Sequence, residues 1–158
     1  FPVYRPRTFV TSGYQGTLGF GFPTSLGVKV ANPDKAVVSV NGDGGFMYGV
    51  QELATAVKYN IGVVSIIFNN NAYGNVRRDQ MQRFKGRLIC SDLVNPDFIR
   101  LAESFGMAVY RATTPGELKL SLEKALGDSA PSLIEVPVET GSEATPWEFI
   151  YPKQHKDL

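Results

Sequence analysis

The chain has 158 residues, 43% hydrophobic and 20% charged, with 16 basic against 15 acidic side chains and a formal net charge of +1. A chain of about 150 residues buries roughly 70% of the surface its unfolded form exposes, so one core is expected and two full domains are not. Balanced charge gives no electrostatic footprint for nucleic acid or an anionic membrane, and one cysteine (Cys90) with one histidine (His155) excludes a disulfide framework and a Cys/His zinc cluster. No run of about 18 apolar residues and no charged-then-apolar leader pattern is present, so the expected location is cytoplasmic.

In chain order, Phe9-Val10 is expected as a short strand and Pro23 to Val30 as a helix interrupted by Gly27. The β-branched run Val37 to Val40 predicts a strand ending in a loop, Asn41-Gly42-Asp43-Gly44-Gly45. From Phe46 to Tyr59, the apolar residues Phe46, Val50, Leu53, Ala54 and Val57 fall at helical spacing and predict one amphipathic helix, stopped by Asn60 and Gly62. Val63 to Phe68 is almost continuously apolar, as suits a parallel strand covered on both faces. Asn95-Pro96 is expected to open a helix carrying Phe98, Ile99, Leu101, Ala102 and Phe105, with Pro96 in its first turn. Met107 to Tyr110 reads as a strand. Thr114-Pro115-Gly116-Glu117 has the form of a capping box before Leu118, Leu122 and Leu126, and Leu133 to Val136 forms a last strand. After Pro137 the periodicity fades into a polar tail, Glu139-Thr140-Gly141-Ser142, with Trp147 further on. Strands alternating with helices through short connections predict an α/β fold, a three-layer sandwich with a mostly parallel sheet. Residues 1–158 read as one domain, with 139–158 as its tail.

Ligands of parallel sheets bind at the carboxyl ends of strands, where helix N-termini offer free N–H groups to anions. Gly42-Asp43-Gly44-Gly45 lies at such a place. Its glycines permit close approach of a phosphate, yet Asp43 would repel one, and a hard divalent cation between carboxylate and phosphate resolves the conflict. Mg²⁺ takes an octahedron of oxygens, mixing a few protein groups with phosphate and water. The next strand ends in Asn69-Asn70-Asn71, and parallel neighbours would set this run beside Asp43. Nucleotide motifs do not account for the glycines: G-x-G-x-x-G fails at Met47 when counted from Gly42 and at Thr24 when counted from Gly19, and no GxxxxGK[ST] is present.

Gly42-Asp43-Gly44, then 24 intervening residues (45 to 68), then Asn69-Asn70 resembles the thiamine-diphosphate motif. The wider text GDGGFMYGVQELATAVKYN, the segment FNNNAYG and the upstream TSGYQGTLGFGFPTSLGVKVANPDK resemble acetolactate synthase and its pyruvate-oxidase and decarboxylase relatives. The resemblance runs from Thr8 to Val138 and corresponds to the C-terminal, diphosphate-binding domain of that family. It implies a thiamine-diphosphate-binding fold, with thiamine diphosphate and Mg²⁺ as cofactors. It further implies Mg²⁺ held by the Asp43 carboxylate, the Asn70 side-chain oxygen and the Ala72 backbone carbonyl, with the Gly44 and Gly45 backbone meeting the phosphates. Gly16 would accept from the cofactor's amino group through its carbonyl. Leu18, where many relatives carry Met, would be the apolar wedge that bends the cofactor.

The family's activating glutamate lies on a separate pyrimidine-binding domain, usually of a partner subunit. No counterpart is found here, and Glu52, in the helix after the loop, reads as structural or solvated. With no initiator before Phe1-Pro2-Val3, the chain reads as part of a homo-oligomeric 2-keto acid carboligase or decarboxylase, inactive by itself. The alternatives are a separate subunit of a split 2-keto acid decarboxylase, or a noncatalytic thiamine-diphosphate-binding module. Arg77 and Arg78 read either as a carboxylate fork or as a solvated helix face, and NVRRDQ departs from the usual acetolactate synthase text. Trp147 and Phe149 could form a lid or pack on the surface. Cys90 reads as a core or near-surface thiol and His155 as noncatalytic.

Overall fold

The computed structural model describes residues 2–142, except the side chain of Tyr14; Trp147, Phe149, His155 and the last part of the tail lie outside the described residues. Four strands, β1 (Val37–Gly42), β2 (Val63–Asn69), β3 (Ala108–Arg111) and β4 (Ser132–Pro137), form a wholly parallel sheet in the order β1-β2-β4-β3. The central strand β2 is apolar along nearly its whole length because both of its faces are covered. Val63 and Ile67 point into one hydrophobic cluster, Val64 and Ile66 into a second on the opposite face. At the edge, β1 buries only one face; Val38 and Val40 on the other are exposed.

The helices divide between the two faces and make the three layers. On the first face pack α1 (Gly21–Ala31), α2 (Asp43–Met47), α3 (Leu53–Lys58) and α5 (Phe98–Phe105), through Phe22, Leu26, Phe46, Leu53, Ala56 and Phe98. The second face is covered by α6 (Pro115–Asp128), through Ala125, Leu118 and Leu122. The remaining helix, α4 (Gly74–Arg83), has no buried residue and stands at the surface. Three rings join the first layer: Phe22 and Phe46 have centroids 5.2 Å apart, and Phe46 meets Phe98 edge-on at 5.9 Å.

Several expected boundaries move, each for a local reason. The loop expected over Asn41 to Gly45 is absent: Asn41 and Gly42 stay in β1, and Asp43 directly begins α2. The single helix expected over Phe46 to Tyr59 is broken into α2, a 3-10 turn (Val50–Glu52) and α3. The break falls at buried Gly49, where a Cβ would come 2.7 Å from the Pro23 ring of α1, so the backbone passes too close for any side chain. Gly27 does not interrupt α1, which starts at Gly21 rather than Pro23. Phe9 and Val10 form no strand and are exposed.

Pro96 lies outside its helix because Asp97 takes the N-cap, its Oδ1 accepting from the N–H groups of Ile99 (3.0 Å) and Arg100 (3.2 Å). Gly106 ends that helix in the left-handed region at φ 92°. The capping box of α6 forms with one partner displaced. Thr114 Oγ1 accepts from Glu117 N (3.2 Å), but Glu117 Oε2 reaches back to Thr113 N (2.7 Å) instead of Thr114. That backbone hydrogen bond is the main cause holding the Glu117 carboxyl below its ordinary pKa.

The core carries the stability, so Leu53→Ala, at a fully buried position, is expected to cost about 2–5 kcal/mol in urea denaturation. Leu120→Ala, on the exposed side of α6, is expected to stay within about 0.5 kcal/mol of the parent chain.

Candidate functional site

The register of β1 on β2 builds the site. Val37 pairs with Val63 and the pairing runs to Gly42 opposite Phe68, so the next residues, Asp43 and Asn69, meet at the same edge of the sheet. Asp43 is 2% exposed, and its Oδ2 accepts a hydrogen bond from Asn95 Nδ2 at 2.6 Å. None of the ion pairs among the described residues includes it. The contrast is Glu135 on β4, 4% exposed, whose Oε2 lies 2.8 Å from Arg111 Nη2. An ionised carboxylate taken out of water costs several kcal/mol unless a cation and hydrogen bonds offset it. Glu135 has its cation. Among the described residues, Asp43 has an amide.

The oxygens next to Asp43 come from the end of β2. Asn70 is buried, and its Oδ1 accepts from Ala72 N at 3.1 Å, an Asx turn that brings the chain around with Asn71 left-handed at φ 54°. Ala72 then pairs antiparallel with Asp92, through Tyr73 N to Ser91 O and Leu93 N to Asn71 O, both 2.8 Å. Those bonds use the groups flanking Ala72 and leave its own carbonyl out of the ladder.

The glycines are close-approach positions. A Cβ on Gly44 would fall 2.6 Å from the Tyr73 ring, so the ring rests directly on the backbone there. Tyr73 shares a hydrogen bond with Tyr48, which is the main cause raising its phenol pKa; partial burial and the charge of Asp43 add to it, and the hydroxyl stays protonated at neutral pH. Gly45 O accepts from Gly19 N at 3.1 Å, and a Cβ on Gly45 would meet Leu18 Cδ2 at an ordinary 3.7 Å. The structure thus brings Leu18 against the start of α2 while leaving it 47% exposed. Gly16, just before it, is left-handed at φ 57° and closes a 3-10 turn (Gly13–Gln15).

Other residues singled out in the sequence lie elsewhere. Arg77 is paired with Asp92 at 2.9 Å, and Arg78 Nη2 donates to Asn75 Oδ1 at 2.8 Å; both belong to surface helix α4. Glu52 is half-buried in the 3-10 turn, and Cys90 is exposed. A cavity of about 590 Å³ opens at the opposite end of the sheet, lined by Lys29, Asn60 and Ala125 among others. Three residues near Asp43 carry no sign of that placement in the sequence: Asn95, Tyr48 and Tyr73. Asn95 was masked by Pro96, which reads as a helix start.

Among the described residues there is no group of three His, Cys, Asp or Glu side chains able to hold a metal. One carboxylate with amide and carbonyl oxygens suits Mg²⁺, which takes hard oxygen ligands and fills its shell from phosphate and water. Nor is any helix of the described residues long and apolar enough to cross a membrane.

The parallel α/β sheet thus sets a glycine-flanked carboxylate and an Asn run at adjoining strand ends. The family model for the C-terminal TPP-binding domain of thiamine pyrophosphate enzymes (thiamine pyrophosphate being thiamine diphosphate) matches residues 1–136, and the chain belongs to that family. It is 44% identical over 146 residues to the probable acetolactate synthase large subunit of Methanococcus aeolicus, covering 90% of this chain and 24% of that one. The acetolactate synthase large subunit of Haemophilus influenzae is 39% identical over 155 residues, covering 98% and 26%. Among solved structures, the thiamine diphosphate-dependent 4-hydroxybenzoylformate decarboxylase of Rhodococcus jostii RHA1 superposes with a TM-score of 0.75 at 36% identity, over 82% of this chain and 24% of that one. The chain spans about a quarter of the length of the relatives it matches.

The contact at Gly44 gives a direct test of the site's packing. Gly44→Ala is expected to destabilise by about 1–3 kcal/mol through overpacking against Tyr73, and Gly45→Ala by much less, as read from urea midpoints.

Proposed function

We propose that this chain binds Mg²⁺-thiamine diphosphate by its diphosphate half and serves as the C-terminal cofactor domain of a 2-keto acid carboligase or decarboxylase. The observation that carries the reading is Asp43, buried with no ion-pair partner among the described residues, beside amide and carbonyl oxygens. Asp43, Asn70 and Ala72 would hold the cation, and the backbone of Gly44 and Gly45 would face the diphosphate. The Gly16 carbonyl would accept from the cofactor's amino group. Leu18, apolar and half-exposed against Gly45, would support the bent cofactor. When bound, thiamine diphosphate supplies the electron sink for decarboxylation of a 2-keto acid.

The chain's own part is to bind and orient. Activation needs a glutamate from a pyrimidine-binding domain, on the same protein or a partner subunit, in an assembly that is a homo-oligomer at full length. That the relatives are about four times longer supports this division of labour. Alone, the chain is expected to be inactive and to bind the cofactor weakly.

Calorimetric titration with thiamine diphosphate in the presence of Mg²⁺ tests the proposal. Binding is expected for the parent chain and for Glu52→Ala, and to be lost in Asp43→Ala. Equal binding by the parent chain and Asp43→Ala would sink the metal assignment.

A further inference from the structure

A chain of side-chain hydrogen bonds crosses the carboxyl edge of the sheet from β3 to α2, with Glu135 and Asp43 accepting and the two amides between them donating toward these carboxylates. It begins at Arg111 on β3, which grips Glu135 on β4 by Nε at 2.9 Å and Nη2 at 2.8 Å. Glu135, held by that guanidinium, accepts from Asn69 as well, which turns its Nδ2 toward Oε1 at 2.8 Å. That fixes Asn69 Oδ1 on the opposite side, where it accepts from Asn71 N at 3.2 Å and from Asn95 Nδ2 at 3.0 Å. Asn95 Nδ2 in turn donates to Asp43 Oδ2 at 2.6 Å and lies 3.3 Å from Asn71 Oδ1. Two acceptor-only carboxylates close the ends, and two amides lie between them. Reversing either amide would set donor against donor or acceptor against acceptor.

Arg111 also steadies the segment that carries Asn95. Its Nη2 lies 3.6 Å from Asp97 Oδ1, the oxygen that caps α5, and Pro96 between Asn95 and Asp97 has a ring-fixed φ. One guanidinium therefore holds both the residue that orients Asn69 and the backbone that delivers Asn95. The hydrogen bonds made to Asp43 by described residues engage Oδ2 alone.

Resting on the cofactor reading above, we propose that Asn95 is the positioning residue of the cation site: oriented by the Arg111–Glu135–Asn69 relay, it holds Asp43 by Oδ2 and presents Oδ1 to the divalent cation. Outer partners of this kind fix the direction of a ligand's lone pairs. Their loss typically costs about 10–100-fold in metal affinity.

The test uses Mn²⁺ as the probe, counted by the electron paramagnetic resonance of the free ion, with thiamine diphosphate present and the full 158-residue chain. Urea midpoints without metal are measured alongside, so that a folding defect is separated from a binding defect. Asn95→Ala is expected to weaken Mn²⁺ binding by about 10-fold or more. Glu135→Gln keeps the shape of its site and is expected to weaken binding severalfold by releasing the orientation of Asn69. Because the relay acts through Asn95, Glu135→Gln is expected to cost nothing further when added to Asn95→Ala. Unchanged Mn²⁺ affinity in Asn95→Ala, or independent and additive losses in the double variant, overturns the proposal. Absence of Mn²⁺ binding by the parent chain itself is a different outcome: it overturns the cofactor reading, and the positioning role falls with it.

Discussion

The parallel pairing of β1 with β2 is the constraint on which the site depends. Every oxygen that the proposed function gives to a cation comes from residues that leave these two strands at their carboxyl ends, and their spacing is inherited from the ladder that sets Gly42 opposite Phe68. Side chains alternate along a strand, so a slip of one residue would turn Ile67 out of its cluster and carry the Asn run past Asp43. The apolar content of β2 thus does two things at once: it fills both layers of the sandwich, and by doing so it holds the polar ends in register.

Charge is managed differently on the two sides of this edge. Glu135 is neutralised within the chain by Arg111, whose guanidinium it makes harder to deprotonate, while the hydrogen bond made to the Asp43 carboxylate by described residues comes from an amide. Two buried carboxylates with such different partners cannot have the same role. One is completed by folding. The other, Asp43, has no ion-pair partner among the described residues, and in the proposed function a divalent cation would take that place.

Much of this was legible in the sequence, and the reason is period and chemistry acting together. The runs from Val63 and Leu133 could only be buried strands, and Gly42-Asp43-Gly44 with Asn69-Asn70 marked two strand ends whose adjacency the sheet then supplied. Boundaries were harder where tertiary contacts overrode local pattern. The periodicity from Phe46 to Tyr59 is genuinely helical, but Pro23 presses on Gly49 from another element, a contact that no local window contains. Asp97 won the cap from the position that Pro96 seemed to mark, because its carboxylate satisfies two free N–H groups and proline satisfies none. Asn95 and Tyr73 escaped for a similar reason: their importance lies in what they touch, an acid and a glycine distant along the chain.

The three phenyl rings at the centre of the first layer have a bearing on how the site behaves as a whole. Phe22 follows Leu18 into α1, Phe46 follows Asp43 along α2, and Phe98 follows Asn95 into α5, so these three segments at the carboxyl edge are rooted in the same aromatic cluster. No segment among these can loosen without disturbing the other two. The edge that carries Asp43 and Asn95 is thereby packed onto the core of the first layer.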